Sequence, residues 1–251
     1  MTERLRIAVT EMPAGEHWLD SDACHYVCRV LRLKRGTQLL LFDPGSQLEA
    51  DAEILNVDKA RARCQIGEAR PTSTAAPWDL TLIQAVGKGD KMDRVVRDAT
   101  ALGIRRLLIV SGERSVVQLV DKKAQKLGRF HEVALAAARQ CGRGDLPEII
   151  IEADVNAALK LLAESTRGFV LSPTAELSLG VQTERALSGG VDDPACWALL
   201  IGPEGGLSPN EMAAADEADF LSASLGPFVL RTETAAVTAM GIVLDRLSGQ
   251  G

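Results

Sequence analysis

Glu204, Arg231 and Glu233 are the residues of this chain with the clearest capacity for chemistry, because they are the only charged residues in two otherwise uncharged stretches. Glu204 interrupts Leu200-Ile201-Gly202-Pro203-Glu204-Gly205-Gly206-Leu207-Ser208, while Arg231 and Glu233 follow Leu225-Gly226-Pro227-Phe228-Val229-Leu230. A carboxylate can take a proton, and a guanidinium can hold negative charge as it develops. Both segments run from an apolar, strand-like stretch into a tight loop that opens onto a helix. Glycines let backbone amides and carbonyls approach a ligand closely. A loop at a strand end is where an open α/β sheet holds a small ligand, so two such loops in succession are expected to grip one ligand. Neither is a phosphate fingerprint: no Gly-Lys-Ser/Thr follows, and the G-x-G-x-x-G spacing is missing. Taken alone, the first loop is explained equally well as a plain strand-to-helix turn.

The neighbouring residues say how these groups are positioned. Ser208-Pro209-Asn210-Glu211 reads as a helix start, with Ser208 as cap, Pro209 in the first turn and Glu211 completing a capping box. The glycine loop therefore ends at a helix N-terminus. Residues 230–235 precede a second helix rich in small residues, Ala235, Ala236, Ala239 and Gly241. A capping threonine and a favourable helix dipole account for Glu233. They leave Arg231 unexplained. Following Phe228-Val229-Leu230, it is expected to be at least half-buried and to need an anionic partner or ligand.

Along the whole chain the pattern changes once. Period-two alternation or β-rich runs predict strands at 4–10, 37–42, 47–57 and 60–66, with a helix over 21–33 between the first two. A compact β-barrel of this kind commonly contacts RNA, although barrels serve many functions. Residues 71–77, with prolines around small polar residues, predict an extended linker. From Trp78 onward, strands at 80–85, 106–110, 148–152, 168–171 and 197–201 alternate with helices at 91–102, 122–141, 155–164, 209–218 and 233–247. That alternation predicts a parallel sheet covered on both faces. The expected domains are thus 1–70, a barrel, and 78–251, an α/β domain. The apolar stripe Leu127, Phe130, Val133, Leu135 and Ala138 on the long helix fits either a core or an interface.

Composition narrows the class. An apolar content of 46% with 25% charged residues is that of an ordinary globular protein. No apolar run approaches the roughly 18 residues of a membrane helix, and no signal-peptide pattern follows Met1, so no membrane association is expected. Cys24, Cys28, Cys64, Cys141 and Cys196 are scattered, odd in number and without metal spacing; neither a disulfide framework nor a metal site is expected, and a reducing cytoplasm fits best. The net charge of −6 argues against a uniformly nucleic-acid-binding surface, but residues 86–146 carry 13 Lys/Arg against 7 Asp/Glu while residues 147–251 carry 5 against 15. A basic middle can be a solvated helix face or a local phosphate-facing surface.

Read together, G-P-E-G-G-L-S and L-G-P-F-V-L-R-T-E-T-A resemble the signature of the RsmE family, 16S ribosomal RNA uridine N3-methyltransferases of the trefoil-knotted SPOUT superfamily. Further similarity follows in the family's order: His25 with Val30-Leu31-Arg32, Lys88-Gly89-Asp90-Lys91-Met92-Asp93, Glu113-Arg114-Ser115-Val116-Val117, and Gln140-Cys141-Gly142-Arg143 with Pro147. The resemblance covers roughly residues 25–245. The chain departs from the pattern where Asp98-Ala99-Thr100-Ala101 replaces the usual Lys-Ala-Thr-Glu, and where Cys141 replaces serine.

The resemblance implies a PUA-like β-barrel followed by a SPOUT domain with a deep trefoil knot that binds S-adenosylmethionine. The cofactor-binding residues it implies are Leu171, Ile201, Gly202, Pro203, Gly205, Gly206, Leu225, Gly226, Leu230 and Thr234. Arg231 is expected to stabilise the uridine anion, and Glu233 or Glu204 to act as base or orienter; the same carboxylates would serve equally to fix Arg231. RNA contacts are expected from His25, Arg32, Lys34, Arg35, Arg114, Gln140 and Arg143, with Arg29, Arg32 and Arg35 spaced for one helical stripe. The implied partners are 16S ribosomal RNA within the small subunit and a second copy of the chain, with Arg114 or Arg143 acting across a homodimer interface. Three alternatives stay open: a non-catalytic ribosomal-RNA-binding protein, a SPOUT methyltransferase acting on another RNA, and an unrelated nucleotide-binding α/β enzyme.

Overall fold

Alternating hydrophobicity becomes two separate sheets in the computed structural model of the chain, which describes residues 5–86, 91–115, 123–188 and 196–249. The chain divides into two compact units, Met1–Ala76 with Leu135–Leu146, and Pro77–Ala134 with Pro147–Gly251.

In the first unit six strands enclose one core: β1 (Leu5–Ala8), β2 (Gly15–Trp18), β3 (Gln38–Asp43), β4 (Leu48–Asp58), β5 (Arg61–Ile66) and β6 (Arg70–Pro71), in the order β1-β3-β4-β5-β2 with β6 on β4. Only β1 and β3 run parallel; the other pairs are antiparallel. One face of each long strand supplies the core, as alternation demands: Leu39 and Leu41 from β3, Ala50, Ala52 and Ile54 from β4, and Ala62, Cys64 and Ile66 from β5. Burial, with Cys24 and Cys28 nearby, pushes the Cys64 thiol up to about 11, so this cysteine is a packing residue at neutral pH. All five cysteines are free.

The helix expected over 21–33 is shorter in the structure. α1 (Ser21–His25) is capped by the Asp20 carboxylate on the Ala23 amide and then widens into a single π-helical turn, Tyr26–Val30. The chain leaves it through Arg32 in the left-handed region, φ 51°. Arg29, Arg32 and Arg35 therefore do not form one helical stripe, because the helix ends before the second of them. The edge strands β2 and β6 were absent from the sequence expectation. They are short and polar, and they depend on β5 and β4 for their pairing.

The second unit holds a parallel six-stranded sheet in the order β12-β10-β11-β7-β8-β9. It is built from β7 (Asp79–Ala85), β8 (Arg106–Val110), β9 (Glu148–Glu152), β10 (Arg167–Leu171), β11 (Cys196–Ile201) and β12 (Leu221–Ala223). Buried runs such as Leu82–Ile83 and Leu199–Leu200 fill both faces, as helix-covered parallel strands require. The helices are α2 (Lys91–Leu102), α3 (Lys123–Cys141), whose residues from Leu135 on belong to the first unit, α4 (Val155–Leu159), α5 (Leu179–Ser188), α6 (Pro209–Glu217) and α7 (Thr232–Ser248). α4 stops well short of the expected 164, and α5 was not expected. On α3, Phe130 and Ala138 are buried, while Leu127, Val133 and Leu135 are half-buried. Lys88, Gly89, Asp90, Val116, Val117 and Lys122 lie outside the described residues.

The end of the chain sets up the site. It leaves the sheet edge at β12 and returns toward the middle, where α7 packs along α2 and α5 and touches β11. Thr232, the first residue of α7, is pinned there: its hydroxyl donates to the Gly202 carbonyl (3.0 Å) and accepts from Gln84 Nε2 of β7 (2.8 Å).

Candidate active site

A cavity of about 260 Å³ opens where β10, β11 and β12 end. Its walls come from three loops and the first turn of α7, the place a parallel sheet reserves for ligands. Of the residues assigned to the cofactor from sequence, Leu171, Ile201, Gly202, Pro203, Gly205, Gly206, Leu225, Gly226 and Leu230 line it, together with Glu204. Thr234 does not; it points to solvent, while Thr232 and Ala235 take its place. Ser172 and Pro173 complete the β10 side. Among the described residues, no lysine, arginine or histidine lines the cavity.

The glycine loop is braced from every side. Pro203 O accepts from the Gly206 amide at 2.9 Å, closing the turn. The expected capping box is present: Ser208 Oγ accepts from the Glu211 amide and Glu211 Oε2 from the Ser208 amide. Glu211, only 4% exposed, also accepts from the Glu113 amide at 2.9 Å, which ties the β8 loop to the glycine loop. Arg114 Nη1 donates to the Gly205 carbonyl at 3.1 Å, so this arginine, assigned to RNA from sequence, is engaged with the loop itself. A Cβ on Gly202 would stand 3.0 Å from Leu207, tight enough that the loop would have to shift to admit a side chain.

The second loop is held differently. Gly226 has φ +120°, open to glycine and strained for other residues. Phe228 and Val229 are each 80% exposed. Arg231 is the N-cap residue of α7, with extended backbone and no side-chain cap bond. It is exposed rather than half-buried, because the apolar residues before it turn outward instead of entering the core. Among the described residues its guanidinium makes no hydrogen bond or ion pair. The capping role expected of a threonine is likewise absent, since the Thr232 hydroxyl is committed to Gly202.

The two carboxylates meet at a residue outside the sequence-derived site. Lys91 Nζ, at the start of α2, contacts Glu204 Oε1 and lies 3.8 Å from Glu233 Oε2. Among the described residues, Lys91 rather than Arg231 stands beside both of them. Gln84 was also missed: it is fully buried, donates to Thr232 and to the Ala85 and Ile201 carbonyls, and so joins β7, β11 and α7.

The remaining sequence-derived residues belong to the first unit. His25, Arg32, Lys34, Arg35 and Gln140 are exposed. Arg143 is not; it is 5% exposed, with Nε and Nη2 on the two oxygens of Asp145 at 2.8 and 2.9 Å. Burial pulls the Asp145 carboxyl upward, but the Arg143 hydrogen bonds and charge, with backbone amides, outweigh it and hold the carboxyl below the usual range. The expected role of Arg143 as a surface RNA contact gives way to that of a buried ion-pair member. Among the described residues, no cluster of ligands could hold a metal ion, and no helix is long and apolar enough to cross a membrane.

A parallel sheet with a pocket at its strand ends serves many chemistries, and comparison with known proteins gives the class. Residues 74–244 match the RNA methyltransferase domain, and residues 19–67 match the RNA methyltransferase PUA domain. Ribosomal RNA small subunit methyltransferase E of Mycobacterium tuberculosis is 30% identical over 227 residues, covering 90% of this chain and 84% of that protein. The fold matches a Neisseria gonorrhoeae ribosomal RNA small subunit methyltransferase E bound to S-adenosyl methionine, with TM-score 0.81, 27% identity and 95% of each chain covered. It also matches the Legionella pneumophila methyltransferase Lpg2936 in complex with SAM, with TM-score 0.85 and 30% identity over 96% of this chain and 97% of that one. The chain belongs to the ribosomal RNA small subunit methyltransferase E family.

Proposed function

We propose that this chain methylates N3 of a uridine in 16S ribosomal RNA, using S-adenosylmethionine as methyl donor. The observation that carries the reading is the cavity at the strand ends, walled by glycine backbone and apolar side chains, with Glu204 in its lining and Arg231 and Glu233 at the start of the adjoining helix. The lining fits this donor. Leu171, Ile201, Leu225 and Leu230 offer apolar surface for a purine, and the only charged side chain among the described lining residues, Glu204, is an anion that suits a sulfonium. A triphosphate or dinucleotide would find no countercharge there. S-adenosylmethionine supplies, when bound, an electrophilic methyl group.

The protein must supply the rest. Uridine N3 holds a proton at neutral pH and becomes a good nucleophile as that proton leaves. Arg231, exposed and uncommitted, presents its fork of donors to the ring oxygens where negative charge develops. Glu233 accepts the N3 proton or orients the base. Glu204, tied to Lys91 in the glycine loop, is the less favoured candidate for that role. The target base leaves its stack to reach these groups, at a cost of a few kcal/mol. His25, Arg32, Lys34, Arg35 and Gln140 contact the RNA, and Arg114 does so while bracing Gly205. The substrate is the small ribosomal subunit, the working form is a homodimer whose interface includes Phe228 and Val229, and the compartment is the cytoplasm.

The test is mass mapping of the modified nucleotide after undermethylated small subunits are incubated with the protein and labelled cofactor. N3-methyluridine at one position is expected; label on another base, or none, overturns the reading. Cofactor at 100 times its dissociation constant should stabilise the chain by about 2.7 kcal/mol. A thermal shift with ATP or NAD in its place would point to the unrelated nucleotide-binding enzyme.

A further inference from the structure

The structure gives Glu233 a partner from another element. Its side chain is 11% exposed, and its Oε2 is buried without a hydrogen-bond partner. An anion so placed is costly unless a counter-charge stands close. Among the described residues, the charged groups at this helix start are Arg231 before it on the same strand-to-helix connection, Glu204 from the glycine loop, and Lys91 from α2. Arg231 makes no ion pair among the described residues. Glu204 would repel. Lys91 faces both carboxylates with one ammonium, itself 26% exposed. Gln84 and Thr232 anchor the backbone of this helix start, but neither bonds to the Glu233 carboxylate.

We propose that Lys91 is a positioning residue for methyl transfer: its ammonium holds the Glu204 and Glu233 carboxylates at the mouth of the pocket and leaves the Arg231 guanidinium uncommitted for the substrate. The inference rests on the reading of Glu233 as base or orienter given above. A flexible lysine stem is a suitable device, since it lets one point charge serve two loops that approach from different elements. Lys91 is not among the residues that line the cavity, so it is not placed against the cofactor; the kinetic test below separates positioning from RNA contact.

The test is a comparison of kcat, KM for small subunits and cofactor dissociation constant in Lys91→Met, Lys91→Arg and Glu233→Gln. Lys91→Met is expected to lower kcat on the order of 10²-fold, the usual consequence of a misplaced catalytic group, with KM and cofactor affinity within a few-fold of wild type. Lys91→Arg, which keeps the charge, should recover most of that loss. Adding Lys91→Met to Glu233→Gln should cost little more than Glu233→Gln alone, because the two act as one unit. If Lys91→Met does not fold, Lys91→Gln is measured against the same expectations. A raised KM at constant kcat would make Lys91 a substrate contact, and fully additive losses in the double variant would separate it from Glu233; either outcome overturns the inference. Both leave the wild-type product untouched, so a wild type that does not form N3-methyluridine is the separate failure of the underlying reading.

Discussion

The glycine loop at 202–208 and the segment at 225–230 enter one pocket from neighbouring strand ends, yet they are built in opposite ways. The first is tied to Arg114, Glu211, Thr232 and Lys91, which come from four separate places in the chain. Among the described residues, the second makes no hydrogen bond, and it turns Phe228 and Val229 almost fully outward. A ligand that is the same in every turnover is best met by a loop whose order is fixed before binding, because no ordering entropy remains to be lost. A large substrate or a second chain is met by surface left uncovered. The difference divides the pocket into a pre-organised half and an open half, with Arg231 where the two join.

Arg231→Ala breaks this division most severely. Loss of a group that stabilises developing charge typically costs about 10²–10³ in kcat. The fold should be unchanged, because the exposed side chain makes no hydrogen bond or ion pair among the described residues, and RNA affinity should be largely kept. Single-turnover methylation beside filter binding of RNA separates the two effects. If affinity falls as far as rate, Arg231 is a phosphate contact, and the open half binds RNA without taking part in the chemistry.

Thr232→Val attacks the braced half at its centre. The isosteric side chain leaves the Gly202 carbonyl and one Gln84 donor without their partner, a cost of about 1–3 kcal/mol for buried groups. Weaker cofactor binding should accompany the lower melting temperature, since Gly202 lines the pocket. Ser208→Ala removes only the cap and should cost about 1 kcal/mol in denaturant unfolding, with Glu211 still holding the Ser208 amide. Equal effects of the two substitutions on cofactor affinity would mean that the brace is no more than the stability of α6.

What the sequence disclosed of these halves follows from the range of the forces involved. The capping box was legible because Ser208 and Glu211 are three residues apart and act on each other's backbone. The central strands β7, β8 and β11 were legible because burial on both faces forces long apolar runs. The three-residue β12 and the polar β2 were not, since pairing partners create them rather than their own composition. The links of Lys91 to Glu204 and of Gln84 to Thr232 join residues 113 and 148 apart, a distance over which no periodicity reports. Arg143 misled for a related reason: a basic residue in a basic stretch reads as surface, although Asp145, two residues on, is the partner that allows its burial. Arg231 misled in reverse, because apolar neighbours imply a core that Phe228 and Val229 do not enter.

Phe228→Ser tests the open half with the smallest expected effect on the folded chain. A side chain 80% exposed has little apolar surface left to lose, and such substitutions usually change stability by less than about 0.5 kcal/mol. The melting transition of the isolated chain should therefore hardly move. The proposed homodimer responds differently, because an apolar residue at its interface would be left unmatched. The mass seen by light scattering should fall toward that of one chain, at protein concentrations where wild type remains paired. Phe228 and Val229 also line the cavity, so cofactor affinity is measured alongside: if mass and cofactor affinity are unchanged while methylation of small subunits falls, the exposed pair meets the ribosome instead, and the open half belongs to the substrate alone. A large loss of stability in a chain that stays monomeric would contradict the division itself, since it would show Phe228 packed where the structure leaves it free.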